Sequence, residues 1–347
     1  MSQVHNQLAS SRFTNMCLAN LLTNAYVFAQ LPLLNGRADL SACSFPFLPS
    51  SILLFCIGMI VPGPFVAHLL ERYKRKHLFL NALIMLVLTS LAVLLLPEPY
   101  HVVSHVLMGL EGAFFGMMQI AMGSTIINDM LISAKRTKGD CIYAWMGRMG
   151  IPLGLLMGYL LSHHLPYPSC IWWSIIAPAA AFVLVAQTVI PVKAPVNMPV
   201  MALDRFFLPS SWSAMLMLFP AALGLGFMVE TANDLISIVA LVAGYALAYL
   251  CCILLPAKRF LFSRISLGYA LLTLGFALIA SPISSHLPLW LIPLMIGWGS
   301  AWVSASMLVR FVEHSEHCQR GTAQNTHLLI WSLSFAIGYL SASCCGW

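Results

Sequence analysis

Two residues carry chemistry into an apolar setting: Glu111 and Arg148, an acid and a base inside long uncharged runs. A carboxyl group held away from water can sense a proton or a cationic group, and a guanidinium offers a planar fork of donors to an anionic one. Each costs at least about 2.5–3.5 kcal/mol at the centre of a bilayer unless it is paired or wetted, so neither is expected to face lipid. On neighbouring antiparallel helices the two would sit roughly 10 Å apart along the axis at 1.5 Å per residue. That leaves two arrangements open, a stretched ion pair or two groups facing one aqueous cavity.

Uncharged polar side chains surround these positions. Asn20 and Asn24 are four apart, hence on one helix face, with Gln30 farther along. Gln119 lies two turns beyond Glu111. Such amides either line a cavity and bond a solute or tie helix to helix, at about 1 kcal/mol each. His314, His317 and Cys318, flanked by Glu313 and Glu316, have metal-like spacing, but a loop position without a second cluster reads as a polar turn. His163 and His164 read as interfacial, and Asp234 as the cap of the helix that follows it. The ten cysteines are scattered through apolar runs and read as packing residues. No phosphate-binding glycine loop, nucleophile elbow or zinc-protease helix motif is present, so no catalytic residue, cofactor or metal is expected.

The elements that must position these residues follow from composition. Of 347 residues, 60% are hydrophobic and 8% charged, with a mean hydropathy of +0.87. Soluble domains carry about a quarter charged residues, so lipid is the expected solvent. A crossing helix needs about 20 mostly apolar residues, and eleven such runs occur: 13–34, 49–70, 77–96, 101–128, 141–163, 169–191, 211–229, 235–255, 265–281, 287–309 and 322–343. Lys and Arg corroborate the count, because cytoplasmic loops hold them in excess. With the N-terminus inside, fifteen of the 17 fall on cytoplasmic segments. Arg37 is external and Arg148 lies within a span. The net charge of +6 therefore reports topology, with anionic lipid as counter-surface and no nucleic-acid partner. The first apolar run, interrupted by Asn20 and Asn24, reads as a retained helix, and Trp347 is expected to be external.

The proline-containing segment 192–210 is the longest interruption and the best boundary. It separates an N-terminal six-helix bundle, 1–191, from a C-terminal five-helix bundle, 211–347. The halves echo each other. A basic loop follows the second helix of each, Arg72 to Lys76 against Lys258 to Arg264. Glycines recur in each fourth helix, Gly109 and Gly112 against Gly297 and Gly299, and late in each fifth, Gly158 against Gly338. On that alignment the twelfth helix is missing.

The loop between the second and third runs is where a family enters. Leu69, Glu71, Arg72, Arg75 and Lys76 match motif A of the major facilitator superfamily in kind and spacing, with Ala67 and Lys74 replacing its glycines. His105 and Gly109 are similar to its second motif, with His in place of Arg. Gly147, Gly150, Pro152, Gly154 and Gly158 resemble its antiporter motif, offset by one around Pro152. The resemblance implies an all-α, two-bundle transporter that rocks about a central site. It also implies a cytoplasmic gate in which Glu71, Arg72, Arg75 and Lys76 meet Asp129, and a helix-packing stripe on the fifth helix.

The expected function is thus secondary transport of a small solute across the inner (cytoplasmic) membrane by a monomer, with proton-coupled efflux as one mode and no enzyme activity. The substrate and coupling candidates are Glu111, Arg148, Asn20, Asn24, Gln119 and His105. The alternatives are a non-transporting membrane sensor or assembly protein and a lipid-modifying membrane enzyme.

Overall fold

The computed structural model describes residues 10–35, 47–96, 101–123, 130–131, 135–190, 199–254, 257–282, 286–316 and 319–345, and among them there is no strand. Each expected span coincides with a helix or a broken pair. The first set is α1 (Ser11–Asn35), α2 (Phe47–Ile60) with α3 (Gly63–Arg72), α4 (Arg75–Leu95), α5 (His101–Ala121), α6 (Arg136–His164) and α7 (Tyr167–Ser174) with α8 (Ile176–Gln187). The second set is α9 (Trp212–Thr231), α10 (Leu235–Leu254), α11 (Ala257–Ala280), α12 (Leu291–Glu313) and α13 (Arg320–Cys345).

Proline explains the break that hydropathy passes over. Pro62 lacks the N–H that would continue α2, and the chain restarts at Gly63 bent by 48°. Pro152, by contrast, lies inside α6 without ending it. Among the described residues six spans pass on length and hydropathy alone, α2 with α3 passes as a bent one, and α10 and α11 show shorter apolar stretches, but α5 and α6 do not pass. Those two hold Glu111 and Arg148 and are diluted by glycine.

The half-repeat is visible in what packs on what. In the first set α1 lies against α6, and α5 against α2 and α4; in the second set α9 lies against α13, and α12 against α10 and α11. The contacts between the sets obey the same symmetry, α2 on α13 and α10 on α6. Glycine permits these approaches. A Cβ on Gly154 would lie 2.4 Å from the carbonyl oxygen of Ala25, and one on Gly158 2.3 Å from that of Ala29. In the second set Gly338 of α13 would meet the Leu223 carbonyl oxygen, and Gly226 of α9 that of Phe335, each at 2.0 Å. The repeat is imperfect, since Gly112 closes on α2 through Phe55 whereas Gly299 closes on α11 through Gly268. The α7 and α8 pair covers α1, whose apolar stretch is 72% buried; that of its counterpart α9 is 50% buried, with Trp212 and Leu216 each 65% exposed.

The described part of the connecting segment, 199–210, is docked on both sets. The Ala202 N–H donates to the carbonyl of Pro64 at 2.9 Å, and the ring of Phe206 fills the space where a side chain on Gly63 would stand, packing with Val66, Ile120 and Ala121. On the other side the Leu208 N–H donates to Thr326 Oγ1 at 2.8 Å, and Asn325 Nδ2 donates to the Arg205 carbonyl at 3.3 Å. Phe206→Ala is therefore expected to destabilise the protein by about 3 kcal/mol, in the range of buried aromatic truncations. Thermal unfolding in detergent checks this against Leu203→Ala, whose parent side chain is 56% exposed and whose loss should cost about 0.5 kcal/mol or less.

Candidate functional site

Between the two sets lies a cavity of about 110 Å³, lined from α1, α2, α5, α6, α12 and α13. By the measure in which one water needs about 10–15 Å³, it has room for a solute of roughly ten non-hydrogen atoms. Five of the six expected substrate and coupling residues line it: Glu111, Arg148, Asn20, Asn24 and Gln119, together with Gln30. His105 does not. Its Nε2 lies 2.8 Å from Ser50 Oγ, tying α5 to α2 away from the cavity.

The amides form one network. Asn20 donates from Nδ2 to the Tyr143 carbonyl at 3.0 Å, while its Oδ1 accepts from Asn24 Nδ2 at 2.9 Å and Gln119 Nε2 at 2.8 Å. Both readings of these residues meet here, since the network stitches α1 to α5 and α6 and also faces the cavity.

Glu111 and Arg148 share the cavity without pairing. Glu111 is 1% exposed, and its Oε1 accepts from Gln30 Nε2 and Ser90 Oγ, each at 2.6 Å; its Oε2 has no partner. The carboxyl is thus held by neutral donors from α1 and α4. Arg148 is 8% exposed and places Nη2 2.7 Å from His327 Nδ1 on α13, with its guanidinium carbon 4.5 Å from the Trp331 ring centroid; its Nε has no partner. Polar atoms without partners recur on the lining, at Gln30 Oε1, Tyr143 OH and Gln324 Oε1. Buried polar atoms are normally satisfied, and a wall of exceptions marks a place for water or ligand.

Two aromatic contacts join the sets on either side of this centre: Phe28 meets Phe335 edge-on at 5.5 Å, and Trp145 stacks on Tyr249 at 3.7 Å. Of the expected gate, Arg72 is exposed and Arg75 buried, while Lys76 donates from Nζ to the Ala186 carbonyl and, at 3.1 Å, to that of Thr188, fastening α4 to the end of α8. Asp129 lies outside the described residues, as do His317 and Cys318. Among the described residues no three His, Cys, Asp or Glu side chains group as a metal site.

Ser90, His327, Trp331 and Asp140 were not singled out from sequence. Asp140 is fully buried on α6 and faces Gln324, Arg320 and Arg136. For His327 a signal existed: it is the one His inside an expected span of the second half, subject to the same desolvation argument as Glu111.

The path of these helices is shared with solved structures. The human organic anion transporter MFSD10 (TETRAN) aligns with a TM-score of 0.68 over 95% of this chain and 92% of its own, at 15% identity. The chain has the major facilitator fold. A variant of the Escherichia coli fucose:proton symporter FucP aligns at 0.64, 14% identity, over 96% of this chain and 90% of its own. FucP in the outward conformation aligns at 0.66 and 11% identity, over 97% and 92%. No family model and no curated protein matches the sequence.

Proposed function

We propose that this protein is a secondary transporter that moves a small solute across the cytoplasmic membrane by alternating access. The observation that carries the reading is the pair Glu111 and Arg148, opposite charges buried in one cavity between two helical sets and held apart by neutral partners. A structural ion pair would have closed on itself. Two unpaired ionisable groups facing a solute-sized space are costly, and binding of solute or proton in one conformation relieves that cost differently from the other, which is what coupling requires. Glu111 is the proton-coupling residue in this reading, and the amides Asn20, Asn24 and Gln119 line the solute path. The fold is shared with an organic anion transporter and a fucose:proton symporter, which supports transport of a small solute.

In the same reading 1–191 and 211–347 are the two rocking bundles. With the N-terminus and the docked segment 199–210 on the cytoplasmic side, as the positive loops suggest, the bonds from Ala202 to Pro64, from Leu208 to Thr326 and from Asn325 to Arg205 hold that side shut. The carrier acts as a monomer in lipid. Uptake of a panel of small anionic, neutral and cationic solutes into proteoliposomes, with and without a pH gradient, tests it. Saturable flux of at least one solute, accelerated by the gradient, is the expected result. Intact protein with no flux and no ligand-induced thermal shift across the panel contradicts it.

A further inference from the structure

Arg148 is the most demanding group in the cavity, and its surroundings say what it lacks. His327 Nε2 lies 3.2 Å from the Ser304 carbonyl, an oxygen that can only accept, so Nε2 carries the hydrogen. Nδ1 is then the bare nitrogen, and Arg148 Nη2 lies 2.7 Å from it and 3.4 Å from Nε2, against the ring. The imidazole is neutral in this arrangement, because a proton on Nδ1 would face the guanidinium N–H. A guanidinium stays protonated in proteins, so Arg148 carries a full positive charge. Ser304 and His327 fix one edge of the guanidinium from α12 and α13, Trp331 covers a face at 4.5 Å, and Nε is left as a buried donor with nothing to bond. Among the described residues no carboxylate lies within ion-pair distance of it.

Beside the amides and Glu111, the wall carries a set of aromatic side chains. Phe28, Phe55, Phe115, Trp331 and Phe335 line the same space. The anchored amides Asn20 and Asn24 spend their Nδ2 donors on backbone or on each other, so Arg148 is the strongest donor left for a ligand.

From this geometry we infer that the cavity binds a small monoanion with a flat apolar body, its carboxylate or similar acidic group on Arg148 and its body among the aromatic side chains, with His327 as the residue that positions the guanidinium. This deepens the transporter reading and rests on it for the consequence, movement of the anion, but binding can be read separately. A carboxylate on Arg148 supplies the missing acceptor to Nε and the missing negative charge in one step. Trp331 serves both partners, because its ring covers the guanidinium and it also lines the cavity. His327 links the site to α13, so a ligand that draws on Arg148 also loads a contact between the two helical sets.

The test uses purified full-length protein in detergent, with benzoate, benzenesulfonate and phenylphosphonate as anionic probes and benzamide as the neutral isostere of benzoate. Thermal stabilisation and tryptophan fluorescence titration read binding. At least one anion is expected to bind saturably and at least about tenfold more tightly than benzamide, the scale of a hydrogen bond to a charged group. Arg148→Gln should lose that preference, and Arg148→Lys should keep part of it. His327→Gln retains an acceptor and should stay within about threefold of the parent, whereas His327→Leu should weaken anion binding by about tenfold without changing binding of benzamide. Equal binding of anions and benzamide, or anion preference that survives Arg148→Gln, overturns the inference. If Arg148→Gln loses binding because it misfolds, its melting curve without ligand and its elution profile reveal that, and the Lys and His327 variants decide. Anion binding at Arg148 without flux in proteoliposomes would sink the transporter reading and leave the anion site standing. Gradient-driven flux of neutral or cationic solutes with Arg148→Gln fully active would do the reverse.

Discussion

Glu111→Gln is expected to leave a folded protein whose solute accumulation no longer responds to a pH gradient. The amide preserves the shape and an oxygen that can accept from Gln30 and Ser90, as Oε1 does now, while removing the proton-binding function. Replacing a buried ionisable group by a neutral isostere should be neutral or mildly stabilising. One proton per cycle makes each pH unit worth about 1.36 kcal/mol, a tenfold factor in accumulation. The parent should therefore show roughly tenfold more accumulation per unit of gradient, and the variant a ratio near one. Solute-for-solute exchange at equal pH should continue in both. Initial rates and plateaus in proteoliposomes check this. Unchanged gradient dependence in Glu111→Gln would remove Glu111 from the coupling role.

The second large effect is structural. Gly154→Leu places a side chain where a Cβ alone would lie 2.4 Å from the Ala25 carbonyl oxygen and 3.0 Å from two further backbone atoms of α1. Backbone does not rotate away as a side chain does, so α1 and α6 must separate. With them would go the Asn20 bond to the Tyr143 carbonyl. Overpacking of this kind costs about 1–3 kcal/mol and more where nothing can give. Little monodisperse protein is expected on size exclusion in detergent. Gly109→Ala is the matched control, since a Cβ there meets only the Leu54 carbonyl oxygen, at 3.9 Å, and should behave like the parent. Equal recovery of Gly154→Leu and Gly109→Ala would show that the close α1 to α6 approach is dispensable.

How far sequence reaches into this molecule depends on the residue. The spans were legible because a bilayer imposes length and apolarity on each helix, and the basic loops alternate with them. Even α5 and α6, too polar to pass on hydropathy, were legible as spans with two anomalous charges. The glycines of α6 were legible as a stripe, though not which residue of α1 each would touch. Pro62 lies inside an apolar run, and hydropathy is blind to the N–H it removes. The hydrogen bond between Arg148 and His327 joins residues 179 positions apart, and no local pattern announces it. Ser90 is ordinary in a membrane helix until Glu111 is placed beside it. Segment 192–210 reads as a boundary from its prolines, yet Phe206 is 5% exposed in its own small core. A lone aromatic residue in a loop carries no sign that a pocket over Gly63 awaits it.

Alternation between two closures is the central claim, and cross-linking tests it most directly. In a background without native cysteines, Phe28→Cys with Phe335→Cys would bridge one aromatic closure, and Trp145→Cys with Tyr249→Cys the other. A bifunctional thiol reagent spanning either pair is expected to stop solute flux in proteoliposomes, and cleaving the reagent to restore it. Full flux through protein locked at both closures would contradict the account.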